Sequence, residues 1–340
     1  MAESLLARRP AAMALGFGGS VLGGDLSLAA QRKLVEAAFE AGFRYFDVAP
    51  SYGHGGAERV VGEVLAGVRE QVRIATKVGI LHPRPLGPMA LARRVLRPLR
   101  ALAPGLWGRA AVRVRQSAAP RGQFGAAAVE ATLRESLQRL RTRRVDHLLL
   151  HEAAAADVDE RLLAWLRTLQ REGVVGTIGL GTSVEETGRI VTAHSGVFET
   201  VQVDHYWGAF SGFAAESAGT SIVTHRCLRS GFTLARSAAL QEALSDHDHR
   251  AELRRLLADR RAAPELLLKA GLCAVPHGRL LVSSSDPHRI RAFARWASES
   301  ALSIEARSLN QCLQRIAEPG TTFRGVVRFP RSIDTTSVTS

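Results

Sequence analysis

The sequence predicts an α/β fold, a (β/α)8 TIM barrel, in a single domain over residues 1–340. Three observations lead there. Short apolar segments alternate with amphipathic ones, and such alternation with short loops is the pattern of parallel strands joined by helical crossovers. The alternation yields eight strand segments, the number that closes this kind of barrel. No GxGxxG turn is followed at the right distance by an acidic residue, which argues against a doubly wound open sheet.

The first predicted strand is MALGF from Met13, which runs into the loop GGSVLGGD. Arg8-Arg9 before an apolar stretch resembles the start of a signal peptide, but glycines interrupt the stretch and no cleavage pattern follows, so it reads as a strand and its loop. Leu28, Val35, Ala38 and Phe39 recur at helical spacing and predict a helix over 26–42, with Ser27 as its N-cap and Gly42 as its C-cap. A strand over 43–48, a helix over 57–65 and the strand VRIATKVG follow. After an interruption the alternation resumes with helix 126–140, strand VDHLLLHE, helix 158–172, strand VVGTIGLGTS, helix 184–194 and strand FETVQVDHYW. A helical stretch near 212–218, the strand TSIVTHRCL, a helical region over 240–270, the last strand GRLLVSSSD and a helix from about Pro287 complete the pattern.

The interruption, about 80–124, reads as an insertion after the third strand. It gathers six of the chain's 13 prolines and nine arginines with no acidic residue among them. Leu91, Val95, Leu96, Leu99 and Leu102 give its 89–102 segment the pattern of a basic amphipathic helix. It reads as a solvated lid, with a protein partner or membrane site as the alternative. The last residues, about 332–340, form a polar tail.

Composition narrows the function classes. Hydrophobic residues make up 46% and charged residues 23%, within the globular range. The net charge of +13 suits an anionic partner, yet only Lys33, Lys77 and Lys269 among the 45 basic residues are lysines. No aromatic-interleaved basic motif or recognition helix accompanies the charge, so nucleic-acid binding is not expected. Cys227, Cys273 and Cys312 are too widely spaced for a disulfide framework or metal-ligand pair and fit a reducing, cytoplasmic setting. No apolar run reaches the roughly 18 residues that a membrane span needs.

Chemistry concentrates on the second to fourth strands. The strand FRYFDV ends near Asp47, and Tyr52 follows in a glycine-rich turn. A buried carboxylate without a partner is costly, and Lys77, a rare lysine, stands near the end of the next strand. His151 closes the fourth. Taken singly, each has a plainer reading: a surface tyrosine, a helix-capping aspartate, a core histidine.

With FDVAPSYGHGGAERVVGEVL, VRIATKVG and VDHLLLHE in this order, the chain resembles the aldo-keto reductase family over most of its length outside the insertion and tail. The resemblance implies a catalytic tetrad of Asp47, Tyr52, Lys77 and His151. It also implies an NADPH/NADP+ cofactor, with NADH as the alternative, a small-molecule carbonyl substrate and no metal. Reduction needs a hydride at carbon and a proton at oxygen. A tyrosine hydroxyl gives that proton once its pKa of about 10 is lowered. Lys77 is expected to lower it, Asp47 to hold Lys77 charged, and His151 to orient the substrate oxygen.

On the cofactor side the resemblance places Gln202 on the nicotinamide amide, with Thr182 and Ser183 where the family has a serine-asparagine pair. His225, Arg226 and Cys227 replace the family's aromatic stacker and the two residues after it. His225 is then expected to stack on nicotinamide and Arg226 to reach the pyrophosphate. Ser284 and Arg289 match the adenosine-phosphate segment, whereas Ser283 and Phe293 depart from it; Arg289 could pair with a 2′-phosphate. The expected activity is reduction of an aldehyde, ketone or sugar carbonyl. Two alternatives are a sugar dehydrogenase running in the oxidative direction and a cofactor-sensing or interaction subunit on the same barrel.

Overall fold

Eight parallel strands close into one ring in chain order, each hydrogen-bonded to the next and β8 to β1. The structure is a computed structural model that describes residues 14–23, 26–80, 121–205, 207, 220–244 and 249–316. The strands are β1 (Leu15–Gly18), β2 (Tyr45–Asp47), β3 (Arg73–Val78), β4 (Val145–His151), β5 (Val175–Gly181), β6 (Thr200–Asp204), β7 (Ser221–His225) and β8 (Arg279–Val282). Helices α1 (Leu28–Glu40), α2 (Gly56–Leu65), α3 (Ala126–Arg139), α4 (Glu160–Arg171) and α5 (Val184–Ala193) alternate with β1 to β6.

Helix starts follow local chemistry. Ser27, Asp159 and Ser183 accept from backbone N–H groups of α1, α4 and α5, satisfying donors that the first helical turn leaves open. Gly42, at φ +94, takes the chain out of α1, a left-handed conformation that costs glycine least.

Between β7 and β8 the structure differs from the sequence expectation. The segment TSIVTHRCL is not all strand: β7 stops at His225, Arg226 is left-handed at φ +62, and α6 (Cys227–Ala235) begins at once. The helical region predicted over 240–270 is α7 (Ala238–Ala243), α8 (Arg250–Ala258) and α9 (Ala262–Ala274). Ser237 and Asp259 bond to following backbone N–H groups and restart the helix each time. After β8 come α10 (Pro287–Ser298) and α11 (Ser303–Ile316), the latter unanticipated. It packs Leu309, Cys312 and Leu313 into the core. The predicted 89–102 and 212–218 helices, nearly all of the insertion and the tail lie outside the described residues. At the insertion's ends, Gln123 N donates to Gly79 O at 3.1 Å, so the chain leaves and re-enters the barrel at the carboxyl end of β3.

The two faces of the strands do different work. Phe17, Phe46, Ile74, Leu148, Ile178, Val201 and Leu280 pack outward in the main apolar core. Inward residues climb the barrel in steps of two, the strand period. Near the amino ends lie Tyr45, His147, Thr177, Thr200 and Arg279, joined by ring contacts and by His147 Nδ1 hydrogen bonds to both threonines. Two residues further along four of these strands stand Asp47, Leu149, Gln202 and Leu281; Lys77 shares the upper level with Asp47 and Gln202. Among the described residues no helix is long and apolar enough to cross a membrane.

Candidate active site

A buried ion pair forms the centre of the carboxyl-end face. Lys77 Nζ donates to Asp47 Oδ1 and, at 3.2 Å, to Val48 O. Both side chains are almost wholly shielded from solvent, at 2% and 4% exposure, so neither charge is tolerable without the other. Gln202 Nε2 completes the group, donating to the same Asp47 oxygen at 3.0 Å.

Tyr52 enters from the 3-10 turn Tyr52–Gly55 that follows β2. The turn is fixed by backbone contact: a Cβ at Gly53 would lie 2.6 Å from Gly23 Cα. Lys77 Nζ is 5.1 Å from the centre of the Tyr52 ring, and the His151 ring meets that ring edge-on at 6.3 Å. Asp47, Tyr52, Lys77 and His151 thus converge from β2, the turn after it, β3 and β4.

The electrostatics depart from the sequence expectation in one respect. Burial raises the Tyr52 pKa above its ordinary value, and the nearby Lys77 ammonium lowers it by less. The phenol is therefore protonated at neutral pH. Burial works against the Lys77 charge, but Asp47 and Tyr52 outweigh it and the net shift is upward. Burial, followed by repulsion from Lys77, pushes His151 down to about 3, so its imidazole is neutral. His151 Nδ1 is buried and has no hydrogen-bond partner among the described residues. Such an orphan is unusual in a folded interior, and its ring lies edge-on to that of Tyr52.

The cofactor-side residues are placed less uniformly. Gln202 is buried beside Gly181, whose Cβ would sit 3.4 Å from Gln202 Oε1. Thr182 Oγ1 donates to Ala153 O at 3.0 Å, and Ser183 caps α5. His225 Nδ1 lies 2.9 Å from Asp204 Oδ1, while Arg226 Nη1 contacts both Asp204 oxygens at 3.0 Å. Ser284 Oγ accepts from Asp286 N, and Arg289 is exposed on the first turn of α10, with no ion pair among the described residues. Phe293 is buried against Trp296. Asp204 escaped the sequence reading, although its place two residues beyond Gln202 puts it on the same strand face.

A sequence profile of the Aldo/keto reductase family matches residues 14–267. The chain belongs to the aldo/keto reductase family. Among curated relatives, D-threo-aldose 1-dehydrogenase of Pseudomonas sp is 32% identical over 181 residues, and the alignment covers 51% of each chain. Pyridoxal 4-dehydrogenase of Microbacterium luteolum is 45% identical over 71 residues, 20% of this chain and 21% of that one. The matched part spans about half of the first relative and a fifth of the second. Solved structures share the fold: an aldo-keto reductase of Bacillus halodurans in its holo form superposes with a TM-score of 0.64 at 20% identity, covering 93% of this aldo/keto reductase and 98% of that chain. A Klebsiella pneumoniae aldo-keto reductase in complex with NADPH gives 0.58 at 18% identity, covering 88% and 91%.

Proposed function

We propose that this aldo/keto reductase is an NADPH/NADP+-dependent oxidoreductase that interconverts a carbonyl and an alcohol, with Tyr52 as the proton-transferring residue. The carrying observation is the convergence of Asp47, Lys77, Tyr52 and His151 at the carboxyl ends of β2 to β4. A bound nicotinamide supplies the hydride that goes to the carbonyl carbon. Tyr52 gives its hydroxyl proton to the carbonyl oxygen, Lys77 stabilises the resulting phenolate, and solvent returns the proton. Neutral His151 hydrogen-bonds the same oxygen and orients the carbonyl.

The chain's donors fit such a cofactor in part. Gln202 keeps a carbonyl oxygen for the carboxamide, and the His225 ring offers a flat face at the end of β7. Thr182, Ser183 and Ser284 line the rim with hydroxyls already held by backbone groups. Arg289 is suited to a 2′-phosphate, which favours NADPH over NADH. The free Cys227, Cys273 and Cys312 suit a cytoplasmic setting.

Titration with NADPH followed by fluorescence, and with NADP+ followed by thermal stability, tests the cofactor; no response to either rejects it. Tyr52→Phe is expected to remove nearly all turnover while NADPH binding persists, and retained turnover rejects the assigned role.

A second reading, oxidation of a sugar hemiacetal, is favoured by the names of the two curated relatives, both dehydrogenases. The same groups serve it in reverse, with Tyr52 phenolate taking the proton. NADP+ reduction across a panel of aldoses checks this direction.

A further inference from the structure

Behind the site, outside the strand ring, one carboxylate joins the Tyr52 turn to the Lys77 strand. Glu58, on the first turn of α2, is 0% exposed. Its Oε1 accepts from Thr76 Oγ1 at 2.7 Å and its Oε2 from Arg139 Nε at 2.8 Å. Thr76 immediately precedes Lys77 on β3 and points to the helix layer as Lys77 points inward. Arg139, the last residue of α3, lies over Gly55: a Cβ on Gly55 would come within 2.9 Å of Arg139 Cδ and Nε. Gly55 ends the 3-10 turn that Tyr52 begins and holds φ +78.

We propose that Glu58 is a positioning residue for proton transfer, fixing the Tyr52 hydroxyl relative to the Lys77 ammonium through Thr76 on one side and Arg139 over Gly55 on the other. The inference rests on the reading of Tyr52 as the proton-transferring residue. A carboxylate this buried must keep both partners, because water cannot replace either. Sliding the turn against β3 therefore breaks a hydrogen bond to a charged group, among the stronger kinds in a protein. Arg139 Nη2 is itself buried with no partner among the described residues. The rest of the guanidinium bonds to Glu58 and, at 3.1 Å, to Glu135. Reacting groups must be held within about 0.5 Å of the productive geometry, and this clamp supplies that restraint without touching substrate.

The test compares Glu58→Gln and Thr76→Val with Asp146→Asn. Asp146, at the amino end of β4, is 8% exposed and accepts from Arg69, Arg73 and Ile74 N, at the opposite end of the strands from the tyrosine. Glu58→Gln and Asp146→Asn are both expected to lower the melting temperature. Glu58→Gln and Thr76→Val are expected to lower kcat about tenfold or more and to move the pH profile of kcat by about half a unit or more, with NADPH affinity within about twofold. Asp146→Asn is expected to leave kcat and its pH profile as they were. The inference is overturned when folded Glu58→Gln and Thr76→Val keep the parental pH profile and kcat, or when Asp146→Asn shifts them equally. Should Glu58→Gln fail to fold, Thr76→Val decides, since it removes only the strand-side donor. Turnover persisting in Tyr52→Phe overturns the proton-transfer reading itself, so the two failures are distinct.

Discussion

Gln202 on β6 donates to Asp47 at the end of β2, 3.0 Å away, although the two strands face each other across an eight-membered ring. Asp47 is thus held by the Lys77 cation from the adjacent strand and by an amide from the opposite one. Gln202→Met removes the donor with little change in bulk. Loss of a hydrogen bond to a charged group costs about 1.5–3 kcal/mol, so the melting temperature should fall. NADPH affinity should weaken about tenfold, near 1.4 kcal/mol. Calorimetry and fluorescence titration check the two effects, and an unchanged melting temperature contradicts the bond.

Lys77→Met tests the centre of the site. It leaves the Asp47 carboxylate buried with Gln202 as its remaining side-chain partner, and breaking a buried pair in this way costs about 3–5 kcal/mol. Urea unfolding should show a loss of that order, together with loss of turnover. Adding Asp47→Asn to Lys77→Met should recover part of the stability and none of the activity, because the stranded charge is gone while Tyr52 still lacks its cation.

Three histidines set the response to acid: His205 is buried, and His147 and His151 are half-buried. Burial is the leading cause in each case and pushes His151 and His205 down to about 3 and His147 to about 4. In the unfolded chain each takes up a proton near pH 6.5. A depressed folded pKa gives stability that is full above the unfolded value and is lost as pH falls toward the folded one. The melting temperature should therefore decline from about pH 6.5 toward pH 4. His147→Gln should flatten the decline, since it removes one of the groups that protonates only on unfolding.

Two glycines, one in the Tyr52 turn and one at the start of α2, separate shape from flexibility. Gly53 has φ +59, and a Cβ there would meet Gly23 Cα at 2.6 Å, so Gly53→Ala should cost about 1–3 kcal/mol by forcing the backbones apart. Its neighbour Tyr52 moves with it, and kcat should fall as well. Gly56, at φ −63, has no heavy atom within 4 Å of the same position. Gly56→Ala should stabilise by about 0.4–1 kcal/mol with activity kept, because only the unfolded chain loses freedom. Melting curves and kcat for the pair distinguish the two.

The barrel was legible in sequence because its strands are short, apolar and evenly interrupted by helices, and because Asp47, Lys77 and His151 sit near strand ends where polar residues stand out. What was not legible depends on contacts between strands. Asp204 and His225 are register partners of β6 and β7, a pairing that no local pattern announces. Glu58 looks like any acidic residue in a first helical turn, and its burial follows from Thr76 and Arg139, 18 and 81 residues away. The stop of β7 rests on a left-handed Arg226, where glycine would have given warning. Helix α11 does carry a local signal, with Ala306, Leu309, Leu313 and Ile316 at helical spacing and in the core.

The wall at the end of β7 yields the last prediction. The family resemblance leads to the expectation that Arg226 reaches the pyrophosphate, whereas its guanidinium is held by both oxygens of Asp204 at 3.0 Å. That pair is exposed, 60% and 58%, and exposed pairs contribute about 0–1 kcal/mol. Arg226→Ala should therefore change neither the melting temperature nor NADPH affinity by much. Asp204 also holds His225 through Nδ1 at 2.9 Å, and the His225 bond, ahead of the charge of Arg226, keeps the Asp204 carboxyl below the usual range. Asp204→Asn weakens the hold on the ring that is proposed to stack on nicotinamide, so it should weaken NADPH binding by several-fold, more than Arg226→Ala. Fluorescence titration of both variants at two salt concentrations separates the outcomes. A large, salt-dependent loss in Arg226→Ala assigns the guanidinium to the pyrophosphate after all, because a phosphate contact made by an exposed arginine weakens as ionic strength rises.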